Sequence, residues 1–153
     1  MNRERILEFV RGDCLDRLWR LYTRRERAGN PMIKGLYSLL LCREAARRGG
    51  YIGPGAQLSL PVSMPHGLHG VYISRFASVG PGCRIYQNVT LGEVDGRAPQ
   101  LAADCLIGAG AVLVGDIRIG AGARIGAGAV VAQDVPAGAT VVSAPVRVLV
   151  RHG

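Results

Sequence analysis

The chain has 153 residues, 48% apolar and 20% charged, which excludes a disordered chain and fits one domain of ordinary size or one domain with an appendage. Gly occurs 22 times while aromatic residues make up only 5%, too many glycines for a helical bundle and no every-third-residue spacing for collagen. The net charge of +8 is uneven: the first fifty residues carry 11 Arg and Lys34 against six acids, the remainder seven Arg against five.

The first fifty residues read as two helices forming an N-terminal segment, 1–50. Ile6, Phe9, Val10, Cys14, Leu18, Leu21 and Tyr22 recur at three- and four-residue intervals, leaving Arg3, Arg11, Arg17 and Arg24 largely on other faces. Gly29-Asn30-Pro31 breaks the pattern, with Asn30 as N-cap and Pro31 at the first helical position of a second helix over 31–48. Gly49-Gly50 stops it. These faces require a partner, either the rest of the chain or another subunit. The arginines read as a solvated face, and a basic helical pair also suits peripheral contact with an anionic membrane. Base-stacking aromatics are scarce and no nucleic-acid motif is present, so no nucleic-acid partner is expected. Cys14, Cys42, Cys83 and Cys105 form no CxxC pair and read as reduced thiols. The N-terminal stretch lacks a signal-like apolar core and the apolar run 36–42 is too short to span a bilayer, so a cytoplasmic chain is expected.

From Tyr51 the period becomes six. Ile52 and Leu58 begin the phase. Ile73, Val79, Ile85 and Leu91 continue it, followed by Leu101, Ile107, Leu113, Ile119, Ile125 and Val131. Four residues after most of these comes a small or β-branched residue such as Ala77, Cys83, Val89, Ala111 or Ala123. Six residues make a short strand and a tight corner, and three such units close a triangular coil of about 18 residues. Aliphatic side chains fill the prism, and its narrow interior accounts for the missing rings. The phase slips twice, around residues 64–70 and at GEVDGRAP (92–99), and such insertions protrude as loops.

HGLHGVYI (66–73), RIYQNVTLG (84–92), RAP (97–99), LIGAGAVLVGDIRIGAGARIGAGAVV (106–131) and DVPAGATVVSAPVRV (134–148) together resemble the hexapeptide-repeat acyltransferases. Within them the chain is most similar to serine acetyltransferases and their polysaccharide-cluster O-acetyltransferase relatives. The resemblance covers about 51–148 and implies a mainly β fold, a left-handed parallel β-helix with a loop at 92–100 and a C-terminal tail at 149–153. It implies an acetyl-CoA-dependent O-acetyltransferase acting on a small-molecule hydroxyl acceptor. The implied assembly is a homotrimer, alone or as a pair of trimers, that binds acetyl-CoA between neighbouring β-helices. The resemblance implies His66 as the general base, with His69 as the other candidate; imidazole, which titrates near neutral pH, suits that role. Gly92 opens the loop over the acceptor, the amides of Ala109 and Ala127 contact the pantetheine, Arg124 and Arg147 lie near the cofactor phosphates, and Arg97 holds an acceptor carboxylate.

The chain departs from serine acetyltransferases in having Pro65 where an Asp orients the base and Ala98 where the loop carries a second His. Glu93 or Asp95 is the expected substitute for the orienting acid. The departures leave a sugar or polysaccharide hydroxyl as the alternative acceptor and a non-catalytic β-helix scaffold as the lower one. His152 is read as inert. No metal is expected, because the three histidines are not spaced to converge as zinc ligands do.

Overall fold

The structure, a computed structural model, describes residues 15–144. Each hexad forms one short parallel strand, and the strands stack into three sheets that are the faces of a prism. The first face contains β1 (Tyr51–Ile52), β3 (Tyr72–Ile73), β6 (Thr90–Gly92), β9 (Val112–Val114) and β12 (Val130–Val131). The second contains β2 (Gln57–Leu58), β4 (Ser78–Val79), β7 (Gln100–Leu101) and β10 (Arg118–Ile119). The third contains β5 (Arg84–Ile85), β8 (Leu106–Ile107), β11 (Arg124–Ile125) and β13 (Thr140–Val141). The chain is therefore a parallel β-helix.

Register follows the aliphatic phase. Ile52, Ile73, Leu91, Leu113 and Val131 pair in succession on the first face, all buried. Ala77, Cys83, Val89, Ala111 and Ala123 are buried at the corners as well. One coil is 18 residues where Ile73 pairs with Leu91. It lengthens to 21 between Ile52 and Ile73 and to 22 between Leu91 and Leu113. Met64 keeps the phase and is buried, so the first insertion lies in 65–70 and does not include Met64.

The two helices close the N-terminal end. α1 (Asp16–Arg27) and α2 (Pro31–Arg47) form an antiparallel pair, and the Asn30 side chain accepts the Met32 N–H at 2.8 Å, the cap expected from the sequence. β1 and β2 each have only one strand neighbour, so the first coil presents an open edge. α1 covers it with polar groups. The Leu58 N–H donates to the Tyr22 hydroxyl at 2.6 Å, while Arg25 donates to the carbonyls of Pro54 at 3.2 Å and Ala56 at 2.8 Å. Burial pushes the Tyr22 phenol above its ordinary pKa. Arg25 is 2% exposed and lies over the Tyr22 ring, 4.6 Å from its centroid, an exception to the solvated arginine face.

Arg25→Ala leaves two carbonyls at the capped edge without a charged donor. A loss of about 2–3 kcal/mol in unfolding free energy is expected by denaturant titration. Arg24→Ala, at an exposed position of the same helix, changes it by no more than about 0.5 kcal/mol.

Candidate active site

Three columns of corners run along the prism, and one of them collects most of the site residues named by the sequence. Between the third and first faces the chain turns at residues 68–70, 86–88, 108–110 and 126–128. Each turn hydrogen-bonds to the one before it. The Asn88 N–H donates to the His69 carbonyl at 2.9 Å, Gly110 to Gln87 at 3.0 Å and Gly128 to Ala109 at 2.9 Å. The donors adopt left-handed backbone, with φ of 59° at Asn88, 70° at Gly110 and 67° at Gly128. His69, Gln87, Ala109 and Ala127 thus occupy equivalent positions in successive coils.

The lower half of this edge is smooth. The N–H groups of Ala109 and Ala127 donate to no group among the described residues, and Ala127 is exposed. Gly108 is fixed by coil stacking, since a Cβ there would sit 2.6 Å from the Ala127 nitrogen. Arg124 points outward from β11, two residues before the last of these corners. Arg147 and His152 lie outside the described residues.

The insertion 65–70 crowns the column with both histidines, and they face different neighbours. His66 is exposed and packs its ring on Tyr86 of the next coil, with centroids 5.7 Å apart and planes at 48°. His69 is also exposed, but a Cβ on Gly49 would lie 3.9 Å from its Nδ1, so it leans back toward the end of α2. Beside them Gln87 has a buried Oε1 with no hydrogen-bond partner among the described residues. Neither Tyr86 nor Gln87 was marked by the sequence reading.

The second insertion stands on a different edge, between the first and second faces. Gly92 ends β6 against Val114. Val94 and Arg97 exchange backbone hydrogen bonds of 2.8 and 3.0 Å around Asp95 and Gly96, whose φ values of 51° and 74° make a tight hairpin turn. The Glu93 carboxylate accepts from the buried Ser74 hydroxyl, and Arg97 pairs with Asp116 at 2.9 Å in the open. Ala98 is buried. Glu93 is thus engaged away from both histidines and Asp95 forms the hairpin tip, so neither takes the place of the orienting acid within one chain.

The thiols of Cys83 and Cys105 are buried in successive coils along the remaining edge. Both thiols donate to the Ala102 carbonyl, Cys83 at 3.1 Å and Cys105 at 3.4 Å, and the interaction between them lowers Cys83 below its ordinary pKa and, together with burial, raises Cys105. Among the described residues no three His, Cys, Asp or Glu side chains gather as a metal site.

Residues 98–133 match the family described as bacterial transferase hexapeptide (six repeats). The chain carries this repeat and resembles serine acetyltransferases. It is 48% identical over 109 residues to serine acetyltransferase of Synechococcus elongatus, covering 69% of this chain and 44% of the relative. With the Bacillus subtilis serine acetyltransferase the identity is 42% over 106 residues, covering 67% and 48%. Among solved structures, Entamoeba histolytica serine acetyltransferase isoform 3 in complex with cysteine superposes with a TM-score of 0.68 at 32% identity, over 76% of this chain and 43% of that one. The Neisseria gonorrhoeae serine acetyltransferase in complex with serine gives 0.62 at 31%, over 84% and 64%. The chain spans about half the length of the curated relatives it matches.

Because only His66 rests on the phenol ring, Tyr86→Ala is expected to shift the His66 imidazole NMR signals and leave those of His69 in place. Equal shifts in both would contradict the different orientations of the two rings.

Proposed function

We propose that the chain is an acetyl-CoA-dependent O-acetyltransferase with serine as acceptor. The observation that carries this is the third–first edge, where two histidines crown a column ending in the amides of Ala109 and Ala127, which have no partner among the described residues. The extended identity to serine acetyltransferases supports it. Pantetheine is a long arm with alternating amide groups, and a smooth edge bearing free N–H donors suits it. Gln87 Oε1 adds an acceptor for an amide N–H. Arg124, with Arg147, supplies positive charge for the cofactor phosphates, to which guanidinium groups bind as forks.

His66 is the better base because it leans toward the coils that hold the donor edge, while His69 leans toward the helical cap. In the reaction the neutral imidazole removes the proton from the acceptor hydroxyl as the oxygen attacks the thioester carbonyl. The tetrahedral adduct collapses by breaking the carbon–sulfur bond, and the departing thiolate takes the proton back from imidazolium. The products are acetyl ester and free CoA.

Gly92 and Arg97 stand on another edge of the same prism, out of line with His66. A homotrimer in which one protomer's histidine edge faces its neighbour's loop edge would reunite them, with Arg97 available to the serine carboxylate. A sugar or polysaccharide hydroxyl is the second reading, favoured by Pro65 and the buried Ala98 at positions where serine acetyltransferases carry polar groups.

With acetyl-CoA and serine, followed by thiol release, His66→Ala is expected to lower kcat by about 10²- to 10⁴-fold. His69→Ala should retain most turnover, and full activity in the double variant would refute general-base catalysis by either. Arg97→Ala should raise KM for serine but not for an uncharged sugar acceptor. Its thermal stability should be nearly unchanged, since the exposed pair with Asp116 contributes at most about 1 kcal/mol. A monomer by light scattering would refute the shared site.

A further inference from the structure

The two faces of α2 are both apolar, and the described residues cover only one of them. Leu41 and Ala45 pack inward with Glu44, while Met32, Ile33, Leu36, Leu39 and Leu40 line the outer side at positions one helical stripe apart. Met32 is 84% exposed and Leu39 66%. Five large side chains on one exposed helix face are a contiguous patch, not the scattered apolar residues of an ordinary surface.

The charges around this stripe all have one sign. Arg43 and Arg47, both exposed, continue the same face into the last two turns of α2. The last turn of α1, joined to α2 by a three-residue turn, exposes Arg24 and Arg27. The sole acid of α2, Glu44, is buried at the flank of the stripe beside Leu40, where Arg48 holds it at 3.0 Å and Arg17 at 3.5 Å, so its charge is already paired. Glu26 on α1 is engaged by Arg25 at 2.8 Å.

We infer that this face of α2 docks on an anionic phospholipid surface, with the apolar stripe entering the acyl boundary and the arginines reaching headgroup phosphates. Charge complementarity selects this occupant. A second copy would bring Arg43 and Arg47 against a face that offers no carboxylate, whereas a bilayer interface supplies both an apolar layer and phosphate anions. The contact is peripheral: among the described residues no helix is long and apolar enough to cross a membrane. The inference stands apart from acyl transfer, because the stripe lies on the helical cap and shares no residue with the histidine edge.

The test is co-sedimentation of the full chain with vesicles of phosphatidylcholine alone or with about one-third phosphatidylglycerol, at low and high salt. Binding is expected to the anionic vesicles and to weaken with salt. Leu36→Ser with Leu39→Ser should abolish it. Arg43→Gln with Arg47→Gln should weaken it roughly thirtyfold, from about 1 kcal/mol for each basic residue near the surface. Absence of vesicle binding, equal binding to both compositions, or binding unchanged in the Leu36/Leu39 variant overturns the inference. A smaller assembly by light scattering in that variant, without vesicle binding in the parent, assigns the stripe to a second copy instead. Turnover of acetyl-CoA with a soluble acceptor in the absence of lipid should be the same in all these variants, so failure here and failure of the acetyltransferase reading are distinguishable.

Discussion

The in-register stacking of one aliphatic side chain per hexad on its counterpart in the next coil is the contact on which everything else depends. Each strand is only two or three residues long and would not persist alone. Its stability comes from backbone bonds to coils above and below and from the buried columns that run along each face, such as Ile85, Ile107 and Ile125. Because the coils are locked in register, corner residues are locked as well. A position on one edge recurs on that same edge, and the column of His69, Gln87, Ala109 and Ala127 follows from the core without further specification.

Such a stack leaves unsatisfied backbone groups at its first coil, and the N-terminal segment answers that need. α1 brings one phenol and one guanidinium to the open groups of residues 54–58. The guanidinium is buried, donates to two carbonyls and rests on an aromatic face, a combination that lysine cannot supply. This division of labour explains the character of α2. With α1 occupied by the prism, α2 packs across it, and no element among the described residues covers its outer stripe.

Much of this was legible in the amino-acid sequence because the repeat has a strict physical period. Every aliphatic position from Ile52 to Val131 is buried as the phase requires, and Asn30-Pro31 starts α2 where capping chemistry demands. What escaped was contact made outside the period. Arg25 looks like its exposed neighbours because nothing local marks the carbonyls that it will meet across the fold. The ring contact of His66 with Tyr86 arises inside an insertion, where spacing carries no phase. The engagement of Glu93 by Ser74 and the seating of the 92–100 loop on a different edge depend on which corner each insertion occupies. Insertion lengths of three and four residues reveal that a loop exists without saying which way its side chains lean.

The proposed acyl-donor site is one edge of three, at amides that stacking leaves without a partner among the described residues. Hydrogen–deuterium exchange with and without acetyl-CoA tests it most directly, because the Ala109 and Ala127 N–H groups have no partner among the described residues. Slowed exchange confined to residues 108–110 and 126–128 is the predicted result. Slowing at the second–third edge, in residues 102–104 and 120–122, or no slowing at any corner at saturating acetyl-CoA, would contradict the account.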